Sequence, residues 1–186
     1  MRIISGKLKG KTINFLKTST TRPLKDSVRE NIYNILNHSN FIDAKIDNCN
    51  ILDLYSGTGS FGIEGISRGA REVTFVEQDK DALAVLEKNL TNLSIMNQAK
   101  IISGKIESIL EKYEKEKFNI FFFDPPFKDI TFIQNLHLIK KKKLYEKNHI
   151  VIIHRELNSN DLLQDSLQSL IVKHYGRSKI IFGIFN

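Results

Sequence analysis

The 186 residues of this chain predict a doubly wound α/β fold: a mostly parallel sheet of seven strands with an antiparallel hairpin at its C-terminal end. Three observations carry the prediction. From residue 51 onward, short apolar runs alternate with segments of helical period, the pattern of a parallel sheet covered on both faces. The first run passes through glycines into the first helix, in the stretch ILDLYSGTGSFGIEG at residues 51–65. The last two runs are joined only by Tyr175-Gly176-Arg177-Ser178, too short for a parallel crossover, so they must pair antiparallel.

Residues 2–4 and 12–15 read as two short strands of a small hairpin, turning at Gly6 to Gly10. A polar link at 18–21 and Pro23 follow. Asp26 or Ser27 then caps a helix whose residues Val28, Ile32, Ile35 and Leu36 share one apolar face. Residues 37–50 are polar and read as a loop. Strands are expected at 51–55, 73–77, 100–103, 118–124, 149–154, 169–174 and 179–185. Helices are expected at 60–69, 80–93, 106–115 and 131–143, with a weaker one near 160–166. Gly69 marks the end of one helix, and Asp79 or Asp81 caps the next. The chain divides into a basic hairpin and helix at 1–40, appended to an α/β core at 41–186.

With 41% hydrophobic and 26% charged residues, the composition is that of a globular protein with a real core. No apolar run is long enough to span a bilayer, and the basic N-terminus lacks the apolar block of a secretory signal. The lone Cys49 cannot form an internal disulfide and precedes a core strand, as a buried inert thiol does. A cytoplasmic, monomeric, metal-free protein is the expectation. The net charge of +7 is unevenly distributed. Residues 1–29 hold eight basic side chains (Arg2, Lys7, Lys9, Lys11, Lys17, Arg22, Lys25 and Arg29) and a single acid, Asp26. Beyond them, 20 basic and 20 acidic residues balance. An excess confined to one end predicts an electrostatic footprint for nucleic acid rather than a membrane surface, because no amphipathic apolar face accompanies it.

Gly57-Thr58-Gly59-Ser60-Phe61-Gly62 fits G-x-G-x-x-G, which by itself indicates only a nucleotide. Asp53, four residues upstream, narrows the choice. A carboxylate aimed into the turn disfavours a pyrophosphate and favours a cation, and S-adenosylmethionine carries both a sulfonium and an ammonium. Glu77 ends the second strand, where a carboxylate can accept both ribose hydroxyls of a nucleoside. The chain has no room for a separate substrate domain, and its five histidines form no cluster suited to hydride transfer.

Asp124-Pro125-Pro126-Phe127 stops a strongly apolar strand. The prolines fix the backbone and donate no N–H, leaving the carbonyls of Asp124 and Pro125 as outward acceptors. With the Asp124 carboxylate they suit an exocyclic amine bearing two hydrogens. Accepting those hydrogens frees the nitrogen lone pair for in-line attack on a methyl group. Phe127 offers a flat face to an extruded base. The amine of guanine or of adenine would fit.

These residues resemble the amino-methyltransferases of the S-adenosylmethionine-dependent Rossmann-like superfamily, and more narrowly the bacterial small-subunit ribosomal RNA guanine-N2 methyltransferases. The narrower match rests on MRIISGKLKGK, on Thr21-Arg22-Pro23 followed by Val28-Arg29-Glu30, and on the closing YGRSKIIF, in order with LDLYSGTGSFGIEGISRGA, VTFVEQD and DPPF. The resemblance implies a cofactor site at Asp53, Tyr55, Ser56, Gly57, Thr58, Gly59, Glu77 and Gln78. It implies a target-amine site at Asp124 to Phe127, a guanine N2 in small-subunit ribosomal RNA as acceptor, and Arg22 close to the active site. The rival reading is adenine-N6 methylation of DNA or RNA. One departure stands out. Where the family commonly has an acid after the third strand, this chain has Lys105, which cannot accept a hydrogen bond from the cofactor's adenine; either Ser103 or a backbone carbonyl does so, or the adenine is held more loosely. Gly183, inside the last strand, has no explanation in the sequence.

Overall fold

The computed structural model describes residues 1–16, 24–114 and 116–186. In chain order the elements are α1 (Asp26–His38), β1 (Asn50–Leu54), α2 (Ser60–Ser67), β2 (Glu72–Glu77), α3 (Lys80–Asn92), β3 (Ala99–Ser103), α4 (Ile106–Lys112), β4 (Phe118–Phe123), α5 (Phe132–Lys142), β5 (Tyr145–Glu156), β6 (Leu167–Tyr175) and β7 (Ser178–Phe185). The strands form one sheet in the order β3-β2-β1-β4-β5-β7-β6. The first five are parallel, whereas β7 runs antiparallel to both β5 and β6. The strand order reverses at β1, so β2 and β4 leave it on opposite sides. The crevice beyond the carboxyl ends of β1 and β4 is the place where such sheets bind ligands.

Alternation along the strands sends side chains to two apolar layers. Ile51, Ile120, Ile150, Ile152, Ile180 and Phe182 face one layer with α1, α2 and α3. Leu52, Phe121, Val151, Ile153 and Ile181 face the other with α4 and α5. Ile3 and Ile13 belong to the first layer, so the N-terminal segment shares the core of the sheet. Cys49 is buried there, and burial pushes its thiol up to about 12, out of the reactive range.

Helix ends follow their residues. Asp79 caps α3 by accepting from Ala82 N at 2.8 Å, as expected. α1 differs: Lys25 is its N-cap, without a side-chain cap, while Asp26 lies in the first turn and pairs with Arg29. Near the amino end, Arg2 and Thr12 form an isolated antiparallel bridge rather than a ladder. The expected helix near 160–166 is absent; the chain there makes turns instead. Asp161, the acid in that stretch, is committed to Arg155, and Leu163 and Leu167 supply the apolar anchors. Gly183 is also explained. It faces a register shift in β6 between Ser169 and Ile171, and a Cβ placed on it would stand 2.6 Å from the Gln168 carbonyl oxygen and 2.7 Å from Leu167 Cγ. Gly183→Ala is expected to cost about 1–3 kcal/mol through this overpacking, read as a lower urea midpoint at unchanged slope.

Candidate functional site

β1 delivers the first site residues. Its Asp53 side chain is 1% exposed and accepts a hydrogen bond from Gly62 N at 2.9 Å. Burial raises its pKa, the Gly62 bond lowers it, and the charges of Asp124 and Glu77 raise it further. The carboxylate aimed at the turn therefore also orders it, joining the end of β1 to the first turn of α2. Between them Tyr55 is left-handed (φ 61°), as are Gly57 (φ 54°) and Gly59 (φ 86°), and this folds the backbone into a concave turn. A left-handed tyrosine costs about 1–3 kcal/mol and needs support from its neighbours. Its hydroxyl accepts from Asn135 Nδ2 of α5 at 3.3 Å. The Ser56 hydroxyl is buried and has no partner among the described residues.

At the tip of β2, Glu77 gathers three backbone donors: Gly57 N at 2.7 Å, Gln78 N at 2.8 Å and Asp79 N at 2.9 Å. One side chain thus links the glycine turn to the loop opening α3. Beside it lies a cleft of about 290 Å³ lined by Tyr55, Glu77, Gln78, Lys105, Glu107 and Thr131, among others. Its size suits a nucleoside. Lys105 stands at its wall, and Glu107 and Asp129 bring carboxylates to the same cleft, which sequence reasoning did not single out.

β4, next to β1, delivers Asp124-Pro125-Pro126-Phe127, and Asp124 N reaches the Leu54 carbonyl at 3.5 Å. Among the described residues, neither the Asp124 nor the Pro125 carbonyl accepts a hydrogen bond. The Pro126 carbonyl, by contrast, takes Asp129 N at 2.8 Å and Arg155 Nη1 at 3.2 Å, while the Phe127 carbonyl takes Arg155 Nη2 at 3.0 Å. His154 Nδ1 lies 2.8 Å from Asp124 Oδ1, and its ring meets Phe127 edge-on with centroids 5.6 Å apart. His154 and Arg155 were missed in the sequence. Their one signal is a charged pair closing an otherwise apolar run, VIIHRE.

The basic N-terminal residues divide. Arg2, Lys7, Lys9, Lys11 and Lys25 are exposed. Arg29, expected on the nucleic-acid face, is instead fully buried: its guanidinium donates to the Arg2 carbonyl at 2.6 Å and to Asp26 Oδ1 at 3.0 Å. It is a bracket for the N-terminal segment rather than a contact for RNA. The same segment is held by Glu64, which accepts from Ile4 N at 2.8 Å and Ser5 N at 3.0 Å, and by Asn89. Asn89 binds both backbone groups of Asn14 and donates to the Thr58 carbonyl. Arg22 and Lys17 lie outside the described residues, as does the Thr21-Arg22-Pro23 block.

Comparison with known proteins adds to this geometry. The family model described as "Conserved hypothetical protein 95" matches residues 1–184. The ribosomal RNA small subunit methyltransferase D of Buchnera aphidicola (subspecies Baizongia pistaciae) is 31% identical over 185 residues, covering 100% of this chain and 91% of that protein. The protein of the same name from Haemophilus influenzae is 30% identical over 158 residues, covering 84% and 79%. Among solved structures, that of the Escherichia coli protein yhhF is similar with a TM-score of 0.83 at 25% identity, covering 98% of this chain and 96% of that one.

The buried Arg155–Asp161 pair generates a pH prediction. Burial raises the Asp161 pKa, but hydrogen bonds from Arg155 and Ser159 outweigh that and hold it below the usual carboxylate range. A depressed folded pKa contributes stability above the unfolded value that is lost as pH falls through the folded one. Acid titration of wild type and Asp161→Asn is therefore expected to show the variant less stable at pH 7, with the gap closing below about pH 4.

Proposed function

Because the chain belongs to the family described as conserved hypothetical protein 95, we propose that it transfers a methyl group from S-adenosylmethionine to the N2 amine of a guanine in small-subunit ribosomal RNA. The observation that carries this reading is the adjacency of β1 and β4. It sets the glycine turn and the Asp124–Phe127 tetrapeptide side by side at the carboxyl end of the sheet. The similar proteins from Buchnera and Haemophilus are named ribosomal RNA small subunit methyltransferases, names that support the reaction and the RNA and specify neither base nor atom.

The residues present fit the cofactor. Asp53, Tyr55, Ser56, Gly57, Thr58 and Gly59 form its amino-acid side, where the unpartnered Ser56 hydroxyl offers a buried donor and Asp53 a buried carboxyl group. Glu77 and Gln78 serve the ribose. A carboxylate has about four acceptor positions, so the three N–H groups on Glu77 leave capacity for a hydroxyl. Lys105 leaves the adenine amine to other acceptors, and Glu107 and Asp129 are the carboxylates lining the cleft besides Glu77.

When bound, S-adenosylmethionine supplies a methyl group already activated as a sulfonium. The chain's own work is at the acceptor. Asp124, through its carboxylate and carbonyl, and Pro125, through its carbonyl, accept the two hydrogens of the amine. This localises the nitrogen lone pair and aims it at the methyl carbon, so that positioning and fixed dipoles carry the rate. Pro126 keeps that backbone rigid and Phe127 stacks on the base. The proton displaced from the amine passes to Asp124. Residues 1–40 serve the RNA: Arg2, Lys7, Lys9, Lys11 and Lys25 face its phosphates, with Arg22 assigned beside the active site by the family motif alone.

Transfer of labelled methyl to unmodified small subunits, followed by digestion to nucleosides, tests the chemistry. N2-methylguanosine is expected, lost in Asp124→Ala while cofactor binding persists; N6-methyladenosine would overturn the guanine assignment. A second measurement tests the electrostatics. Neutralising Lys7, Lys9 and Lys11 together is expected to weaken RNA binding and to flatten the slope of log affinity against log salt by roughly 2–3. An unchanged slope would remove these lysines from the interface.

A further inference from the structure

The Asp124–Phe127 loop has little to hold itself in place. Two prolines deprive it of N–H donors, and the bond from Asp129 N to the Pro126 carbonyl is its main internal tie. Rigidity has to come from outside, and β5 supplies it. Consecutive residues of a strand point to opposite faces of the sheet, so one dipeptide can reach a neighbouring loop from both sides. His154 lies on the side of the α1–α3 layer, opposite Ile180 of β7; Arg155 lies on the α5 side, over the Phe132 ring at 4.6 Å.

We infer that His154 and Arg155 are the positioning pair for the target amine: His154 sets the direction of the Asp124 carboxylate, and Arg155 locks the Pro126–Phe127 backbone. The inference rests on the proposed role of Asp124–Phe127 as the amine site. A carboxylate oxygen can only accept, so Nδ1 carries the hydrogen of the 2.8 Å contact with Asp124 Oδ1. That bond fixes the carboxylate torsion, which otherwise rotates freely at the end of a short side chain. The T-shaped contact between the His154 and Phe127 rings orients the stacking face through the same side chain.

Arg155 is built for its task more heavily than a surface arginine. It is 1% exposed, and its charge is met by Asp161 through two bonds of 3.0 Å, from Nε and from Nη2. Asp161 is braced in turn by the Ser159 hydroxyl at 2.7 Å. With one edge of the guanidinium occupied by this carboxylate, Nη1 and Nη2 are directed at the Pro126 and Phe127 carbonyls. Two of the loop's four carbonyls are thus consumed by the scaffold, and the two left over are those assigned to the amine. The planar fork of arginine makes such a pattern possible; a lysine could not hold both carbonyls and Asp161 in one plane.

Four variants test the pair, with wild type as the control for the underlying reading. His154→Phe keeps a ring against Phe127 and removes the donor, whereas His154→Asn returns a donor near the position of Nδ1. Steady-state transfer is expected to show kcat lowered about 10–100-fold in His154→Phe, with KM for RNA and calorimetric cofactor affinity within about twofold of wild type. His154→Asn is expected to recover most of kcat. Arg155→Lys should lower kcat by a comparable factor. Should it not fold, Asp161→Asn, which loosens the guanidinium without removing it, should lower kcat less while leaving cofactor affinity intact. Equal kcat in wild type, His154→Phe and the Arg155 or Asp161 variant would overturn the inference, as would identical losses in His154→Phe and His154→Asn. Absence of transfer by wild type itself would instead overturn the assignment of the site.

Discussion

A carboxylate buried at the end of β1 governs the shape of everything around it. Asp53 closes the last exit of an apolar strand, and its hydrogen bond to Gly62 N draws α2 back over the sheet it has just left. The contact is possible because α2 carries glycine at the two positions that come closest to the sheet. A Cβ on Gly62 would stand 2.4 Å from the Phe75 ring, and one on Gly65 would stand 2.5 Å from Ile51 Cδ1. Helix and sheet therefore touch backbone to side chain, and the chain between them has no slack. Along this short connection Tyr55, Gly57 and Gly59 are all left-handed. The shape of the glycine turn goes with close packing of helix on sheet.

The next layer out depends on the same helix. Glu64, two residues beyond Gly62 and 1% exposed, ties α2 to the N-terminal segment through Ile4 N and Ser5 N and holds Arg68 at 2.7 Å. Arg29 approaches it at 3.7 Å while bracing the Arg2 carbonyl. Charge counting along the sequence placed Arg29 among solvent-facing cations, because composition does not distinguish a cation that meets phosphates from one that meets carbonyls. The distinction is one of location: α1 turns position 29 inward beside Val28, Ile32 and Tyr33. The helical period was readable, but the face of that helix was extended by a residue type that patterning treats as polar.

The succession of strands and helices from residue 51 to Lys142 and the C-terminal hairpin were legible because period and turn chemistry agree along most of this chain. The disagreements have local causes. Residues 160–166 carry enough helix-compatible side chains to suggest a helix, yet Asp161 is held by Arg155, six residues upstream at the end of β5, a pairing that helical spacing does not reveal. His154 and Arg155 themselves escaped notice since they complete an apolar strand and carry no motif of their own. The glycine turn and the tetrapeptide were visible as local strings, whereas the side chains that brace the tetrapeptide come from β5, thirty residues downstream of Asp124 for His154. Gly183 shows the converse: a residue without meaning in its own strand becomes obligatory once Leu167 and Gln168 of the neighbouring strand approach it.

The two margins of the sheet have a consequence for the protein's life in a crowded solution. An outermost strand presents unpaired peptide groups that invite another chain to add on. On one side β3 is only five residues long, and its Lys100 is engaged with Glu72 and Glu116, which places charge where an incoming strand would dock. On the other, β6 is interrupted by its register shift and carries Lys173 and His174 on an exposed stretch. Brevity and charge at one border, irregularity and charge at the other, deprive both of the flat regular template on which fibrillar stacking grows. The glycine that admits the β6 irregularity thereby contributes to colloidal behaviour as well as to packing.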